Sequence, residues 1–282
     1  VISVRSEDSS VRSTHGVGAS NVDGGQPDIT SPGLSEMSLQ RLGTGIEHSR
    51  PLLNGWNGTF SVDFKRNSLL DNDGNHSLFD AYGAPVTFSG TKHDTALSSH
   101  LRFTYSGSNA AQLMLSAEQA FPLQPQWLNY TRMIAKAKRS FNLLSIDPLP
   151  GPVQLVLSSK GGSVIGDLPP CEAFAIGGTT SVRGYNDGAI GTGRKYVVGS
   201  AEARVPITPM FTAAAFFDYG SDLHSGSSVL GDPAGTRGKP GSGYSYGVAG
   251  MLETGGLPIR LDYARNDQGN ARFHFSLARD FN

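Results

Sequence analysis

The 282-residue sequence predicts an all-β protein, a transmembrane antiparallel β-barrel of about twelve strands, and three observations predict it. Glycine is abundant (36 of 282) while only 17% of residues are charged, against roughly 7% and 25% in ordinary globular chains. Apolar and polar side chains alternate with period two in successive segments of about ten residues. The connections between those segments differ sharply in length.

Glycine is costly inside helices and useful at turns and bulges, so a Gly-rich chain with Val, Thr, Phe and Tyr spread throughout favours strands. No apolar run approaches the ~18 residues of a membrane helix; the most apolar window, 211–217, is far too short. A barrel needs no such run, because only alternate residues of each strand face lipid.

In chain order, residues 1–36 read as a short strand at 1–5 and a flexible Ser/Gly/Asp/Pro-rich linker, and residues 37–282 as the barrel. Strands are expected near 1–5, 38–50, 55–66, 95–107, 110–121, 127–143, 151–161, 194–207, 210–219, 242–253, 257–266 and 270–280. Phe60, Val62 and Phe64 share one face of the third segment, against Ser61, Asp63 and Lys65. Leu101, Phe103 and Tyr105 oppose Arg102; Leu113 and Leu115 oppose Glu118; Met133 and Ala135 oppose Lys136, with Ile134 breaking the pattern. Leu155 and Leu157 oppose Gln154 and Ser158, and Leu261 and Tyr263 oppose Arg260 and Asp262. In the last segment Phe273, Phe275, Leu277 and Phe281 oppose Arg272 and His274, with Arg279 interrupting the row.

A soluble β-sandwich shows the same alternation with its apolar face turned inward. Two details favour the membrane form: the polar face is repeatedly charged, as beside a wet lumen, and Tyr105, Trp127, Tyr130 and Tyr263 fall near strand ends, where an interfacial girdle sits. The short links around 51–54, 106–109, 122–126 and 206–210 and the long ones at 67–94, 162–193 and 221–241 suggest tight turns at one rim and long loops at the other.

Several function classes lose support. A net charge of -1 gives no electrostatic reason for nucleic-acid binding. The lone Cys171 excludes an intrachain disulfide framework, and no histidine pair has metal-ligand spacing, so neither metal nor cofactor is expected. Gly243, Ser245 and Gly247 match the G-x-S-x-G nucleophile elbow, but no helix pattern follows, so no catalytic residue is assigned and no enzyme is expected.

One segment is far more specific. Residues 172–185 contain Gly177 and Gly178, followed by Val182, Arg183, Gly184 and Tyr185. Further on, residues 216–220 read Phe-Phe-Asp-Tyr-Gly, ending on Asp218, Tyr219 and Gly220. In these two motifs, with this order and spacing, the chain resembles the BamA-like outer-membrane superfamily of insertases and translocons. The stretches 45–59, 92–127, 181–198, 231–246 and 266–275 look like its chloroplast outer-envelope branch, related to the Toc channel subunit.

The resemblance implies a barrel of about sixteen strands preceded by POTRA domains. It implies a long loop folded into the lumen, whose Arg183 contacts acidic residues on nearby strands. Residue parity independently puts Asp218 and Glu202 on the lumen face, so Arg183 is expected to bridge either or both. Five strands follow the loop, as in the family, but about seven precede it and no POTRA domain has a counterpart here. The expectation is either the C-terminal part of the family barrel, its N-terminal part missing from this chain, or a shortened paralogue with a smaller or incomplete barrel.

The implied function is insertion of barrel precursors into, or translocation of precursor proteins across, the chloroplast outer membrane, a bacterial-type outer membrane being the fallback. The expected partners are precursor polypeptides, the lipid bilayer and other translocon or envelope subunits. The final strand, with Phe273, Phe275, Leu277 and Phe281, would form one side of a weakly paired seam. The alternative is a passive solute pore.

Overall fold

The computed structural model describes residues 2–13, 37–71, 73–80, 83–107, 110–232, 235, 238–253 and 258–277, with backbone alone for 2–13, 37 and 38. Twelve strands form one antiparallel sheet among the described residues. They are β1 (Ile2–Ser13), β2 (Met37–Pro51), β3 (Trp56–Leu70), β4 (Asp94–Ser106), β5 (Ala111–Phe121), β6 (Tyr130–Leu144) and β7 (Val153–Gly166), then β10 (Lys195–Thr208), β11 (Phe211–Ser221), β12 (Ser242–Leu252), β13 (Ile259–Asn266) and β14 (Ala271–Leu277). Between β7 and β10 lies a small separate ribbon, β8 (Phe174–Ile176) paired with β9 (Gly191–Gly193). Each sheet strand pairs with its neighbour in sequence, an up-and-down meander with β1 and β14 at its ends. No helix among the described residues is long and apolar enough to cross a membrane.

The predicted strands are found in order. The first is longer than expected, reaching Ser13 where it pairs with Met37. The linker expected up to residue 36 lies outside the described residues beyond that point, as do Arg279 and Phe281.

Register propagates one face across the whole sheet, because directly paired residues project to the same side. Phe60 pairs with Leu101, Phe103 with Leu115, Leu115 with Ala135, and Phe141 with Leu155. Leu155 then pairs with Ala203, Phe217 with Tyr246, Val248 with Tyr263, and Leu261 with Phe275. Asp63, Arg102, Glu118, Lys136, Asp218, Arg260 and His274 all take the other side, as the parity predicts.

The apolar face is uncovered: Phe273 is 72% exposed, Phe275 66% and Leu261 51%. In a sandwich these side chains would be dry between two sheets; here they form a belt fit for lipid. Trp56 and Tyr105 lie 5.2 Å apart at one end of that belt, and Tyr263 and Phe273 lie 4.9 Å apart further along. Tyr130, expected in the girdle, instead points inward and is buried, its hydroxyl donating to Glu118 at 2.8 Å. The phenol needs a partner once buried, and Glu118 on the facing inner row supplies it.

In a meander successive connections alternate between rims. The rim with the links at 52–55, 107–110, 145–152, 209–210 and 253–258 carries short turns. The opposite rim carries 71–93, 167–194 and 222–241, the expected long loops. The short links 122–129 and 267–270 also fall on this second rim, so loop length is not uniform there.

Replacing Leu261 with Arg should destabilise the membrane-inserted form by about 2–4 kcal/mol near the midplane, and Lys136→Gln on the inner face by much less. Urea titration in lipid vesicles checks both; equal midpoints for the two variants would contradict the assigned faces.

Candidate functional site

The connection between β7 and β10 turns back over the inner face. It opens with a 3-10 turn at Pro170–Glu172, runs out along β8, turns at Gly177 and Gly178, and returns along β9. The Ile190 amide donates to the Ile176 carbonyl at 3.0 Å, closing the neck of this excursion. Gly177, Gly178 and Gly184 all have positive φ, at 119°, 91° and 86°, a region that side chains resist. These are the glycines of the motif, and the backbone path requires them.

Val182 is fully buried with Ile176, Tyr185, Ile190 and Val198, a small apolar cluster that seats the loop on β10. Gly220 of β11 leaves the space for it: a Cβ there would stand 2.7 Å from Val182 Cγ2 and 2.8 Å from Ile176 Cγ2. Gly220→Ala should therefore push the loop off the wall, at a cost of about 1–3 kcal/mol typical of overpacking. Limited proteolysis reads this as faster cleavage within 177–190; an unchanged rate would contradict the close approach.

Seated this way, Arg183 extends along the inner face and is itself buried. Its Nε and Nη2 donate to the two oxygens of Asp218, each at 2.7 Å, the paired fork geometry that guanidinium offers a carboxylate. Nη1 reaches Glu202 and Asp262, both at 3.0 Å, and Nη2 also reaches Ser200 at 3.2 Å. The Arg183 backbone amide adds a bond to Asp218 at 3.2 Å. The guanidinium carbon stands 3.4 Å from the centre of the Phe216 ring, so its face is covered too.

Asp218 is 0% exposed, and apart from Arg183 its hydrogen-bond donor is Ser200 at 2.6 Å. Glu202 has two further cations, Arg204 at 2.6 Å and Arg260 at 2.7 Å, and Arg260 also pairs with Asp262 at 2.7 Å. Three arginines and three carboxylates thus balance in a low-dielectric site. Such a cluster is tolerable only because each charge is paired and hydrogen-bonded.

Two neighbours of Arg183 tie the loop to the last strands. The Gly184 amide donates to His274 Nε2 of β14 at 2.9 Å, and Asn266 of β13 donates to the Gly184 carbonyl at 3.0 Å. The buried Tyr185 hydroxyl donates to Asp267, and burial followed by that bond holds the phenol above its ordinary pKa.

Sequence reasoning placed Arg183 between Asp218 and Glu202, and the structure brings all three together. It missed Asp262, Ser200, Phe216 and His274 as partners. The signal was present for Asp262 and His274, which share the inner parity and pair directly with each other across β13 and β14. The seam residues Phe273, Phe275 and Leu277 lie on the outer face, away from this cluster. Ser245 sits in the middle of strand β12, so the strand–turn–helix context of a nucleophile elbow is missing. Among the described residues no group of three or more His, Cys, Asp or Glu is placed to hold a metal.

Comparison with known proteins places this arrangement. Residues 8–281 match the Omp85 superfamily domain. Outer envelope protein 80 of the Arabidopsis thaliana chloroplast is 41% identical over 91% of this chain, which spans only 34% of that relative. Outer envelope protein 39 of the same plant is 32% identical over 89% of this chain and 68% of its own length. Protein TOC75 of Pisum sativum is 33% identical over 71% of this chain, again covering only 26% of the relative. A crystal structure of BamA from Haemophilus ducreyi lacking POTRA domains 1–3 superposes with a TM-score of 0.60 at 13% identity, over 85% of this chain and 54% of that one, and so shares its barrel fold. With a domain match over nearly its whole length and the arginine loop held against the inner wall, the chain belongs to the Omp85 superfamily, in its chloroplast outer-envelope branch.

Proposed function

We propose that this chain forms a barrel that inserts barrel precursors into, or moves precursor polypeptides across, the chloroplast outer envelope. It acts by holding and templating chains rather than by bond-making chemistry, and it works with other envelope or translocon subunits. The observation that carries this reading is the arginine loop. A passive pore gains nothing from a buried guanidinium wired to three carboxylates on three strands and laid across its own lumen. A device that must hold a loop in one position and release it does gain from it.

The end of the sheet supports the same reading. Among the described residues β14 ends the meander, and an open strand edge there would recruit an incoming strand through its unpaired amides and carbonyls. An unfolded barrel precursor offers such strands.

The test is reconstitution of the full chain in lipid vesicles, with a urea-unfolded outer-envelope barrel precursor in one arm and a transit-peptide precursor in another. Heat-modifiable folding of the first supports insertion, and protease protection of the second supports translocation. Neither activity, together with solute conductance that is unchanged on deleting 171–193, would replace this reading with the passive pore.

A further inference from the structure

The arginine cluster holds only the tip of the loop. Eleven positions earlier the loop makes a second set of polar contacts, to the opposite half of the sheet. The Glu172 carboxylate accepts from Arg41 Nη2 at 2.6 Å and from Asn67 Nδ2 at 3.1 Å on one oxygen. Its other oxygen accepts from Arg132 Nη1 at 3.1 Å and Nη2 at 3.2 Å, and its backbone carbonyl accepts from Arg132 Nη2 at 2.8 Å. The Arg132 guanidinium lies 5.5 Å from the Phe174 ring centre and 5.9 Å from that of Tyr130. Phe174 and Ala173 pack in turn on the buried cluster of Ala96, Leu128, Tyr130 and Leu168.

These contacts join strands that are far apart in the sheet. Arg41 is on β2, Asn67 on β3 and Arg132 on β6. Four strand spacings separate β2 from β6, about 19 Å measured along a flat sheet. One carboxylate can touch both arginines only because the sheet curls and the two side chains meet across a chord. We propose that Glu172 is a second anchor of the lumen loop, a positioning residue that fixes the loop's entry to β2, β3 and β6 while Arg183 fixes its tip to β10, β11 and β13. The loop then spans the interior as a tie between the two halves of the barrel. Beside it on the inner face of β2–β5 remains a polar cavity of about 190 Å³, lined by residues such as Asp63, His100 and Arg102 and, at the anchor, by Arg41.

This inference does not depend on the proposed function, and its readout is independent of it. Cys171 is next to Glu172 and is the one thiol of the sequence, so its alkylation reports on the loop entry. Burial, with the Glu172 carboxylate beside it, pushes this thiol up to about 12, while Arg41 pulls it down. Removing the Arg41 charge from a loop that stays in place would therefore slow labelling; release of the anchor would speed it. The two outcomes have opposite signs.

The experiment labels the full chain in detergent micelles with a maleimide, after heat-modifiability has shown each variant folded. Arg41→Ala and Arg132→Ala should each label at least about tenfold faster than wild type, since labelling tracks the population of the open loop. Their combination should be less than multiplicative, because both act through one carboxylate. Arg41→Lys should stay near wild type, since Arg41 supplies a single contact, whereas Arg132→Lys should not rescue three. Glu172→Asp, one methylene shorter, should behave like the alanine variants. In planar bilayers the same variants should show larger and noisier currents than wild type. Unchanged or slower labelling in folded Arg41→Ala, Arg132→Ala and Glu172→Asp would overturn the proposal. Fast labelling in a chain that neither inserts nor translocates precursors would leave this anchor standing and remove the functional reading alone.

Discussion

Arg183→Ala is expected to free the lumen loop while leaving the barrel folded. The cost falls mainly on Asp218, which is fully buried and, among the described residues, keeps as donors Ser200 and the backbone amide of position 183 once the guanidinium is gone. Glu202 and Asp262 retain Arg260, and Glu202 retains Arg204 as well, so they are cushioned. Breaking one side of a buried pair typically costs about 3–5 kcal/mol, and a large barrel can absorb that by letting the loop go rather than by unfolding. Protease sites within 177–190 should become sensitive, and precursor insertion or transport should fall with them. Arg183→Lys should rescue poorly, because an ammonium cannot place paired donors on Asp218 and still reach Glu202 and Asp262. The partition between carboxylates is itself testable by double-mutant cycles read as loop protection. Coupling should be largest with Asp218→Asn and smaller with Glu202→Gln. Additive effects of Arg183→Ala and Asp218→Asn would contradict the geometry.

The parts of this molecule that were readable from sequence are those governed by short-range rules. Strand identity follows from period two, and period two also assigns each side chain to a face, which is why Phe217 and Asp218 could be placed outside and inside from their neighbours alone. The arginine cluster was half readable for the same reason. Parity put Asp218, Glu202 and Asp262 on the inner side, but which of them a loop residue meets depends on register. Register depends on turn lengths that alternation does not encode. The Asp262–His274 pairing shows the gap: both residues were assigned to the lumen, and only the strand pairing sets them side by side beneath Gly184. Tyr130 failed for a different reason. Its position near a strand end suggested an interfacial ring, but it shares the inward parity of Arg132 and Lys136 on β6, and Glu118 on β5 accepts from its hydroxyl there. Glu172 carries no local signal, since its three partners stand 131, 105 and 40 positions away and meet it only once the sheet has curled.

Deleting residues 270–282 should abolish stable insertion of the barrel. The deletion removes β14, whose residues pair with β13 from Ile259–Leu277 to Arg265–Ala271. It moves the end of the sheet to β13 and removes the strand through which the seam would close, and backbone left without a pairing partner at membrane depth costs several kcal/mol per group because lipid offers none. It also strips Phe273, Phe275 and Leu277 from the apolar belt, and removes His274 from the Gly184 amide. The last of these losses can be isolated. His274→Ala keeps the strand and its pairing, so it should insert normally while loosening the loop where it meets the final strands. The full deletion should instead remain extractable from vesicles by carbonate, show no heat-modifiable band and be digested by added protease. A deleted chain that inserts and resists heat and protease like wild type would mean that β13 can end the sheet. The edge that the proposed templating needs would then have to be found elsewhere.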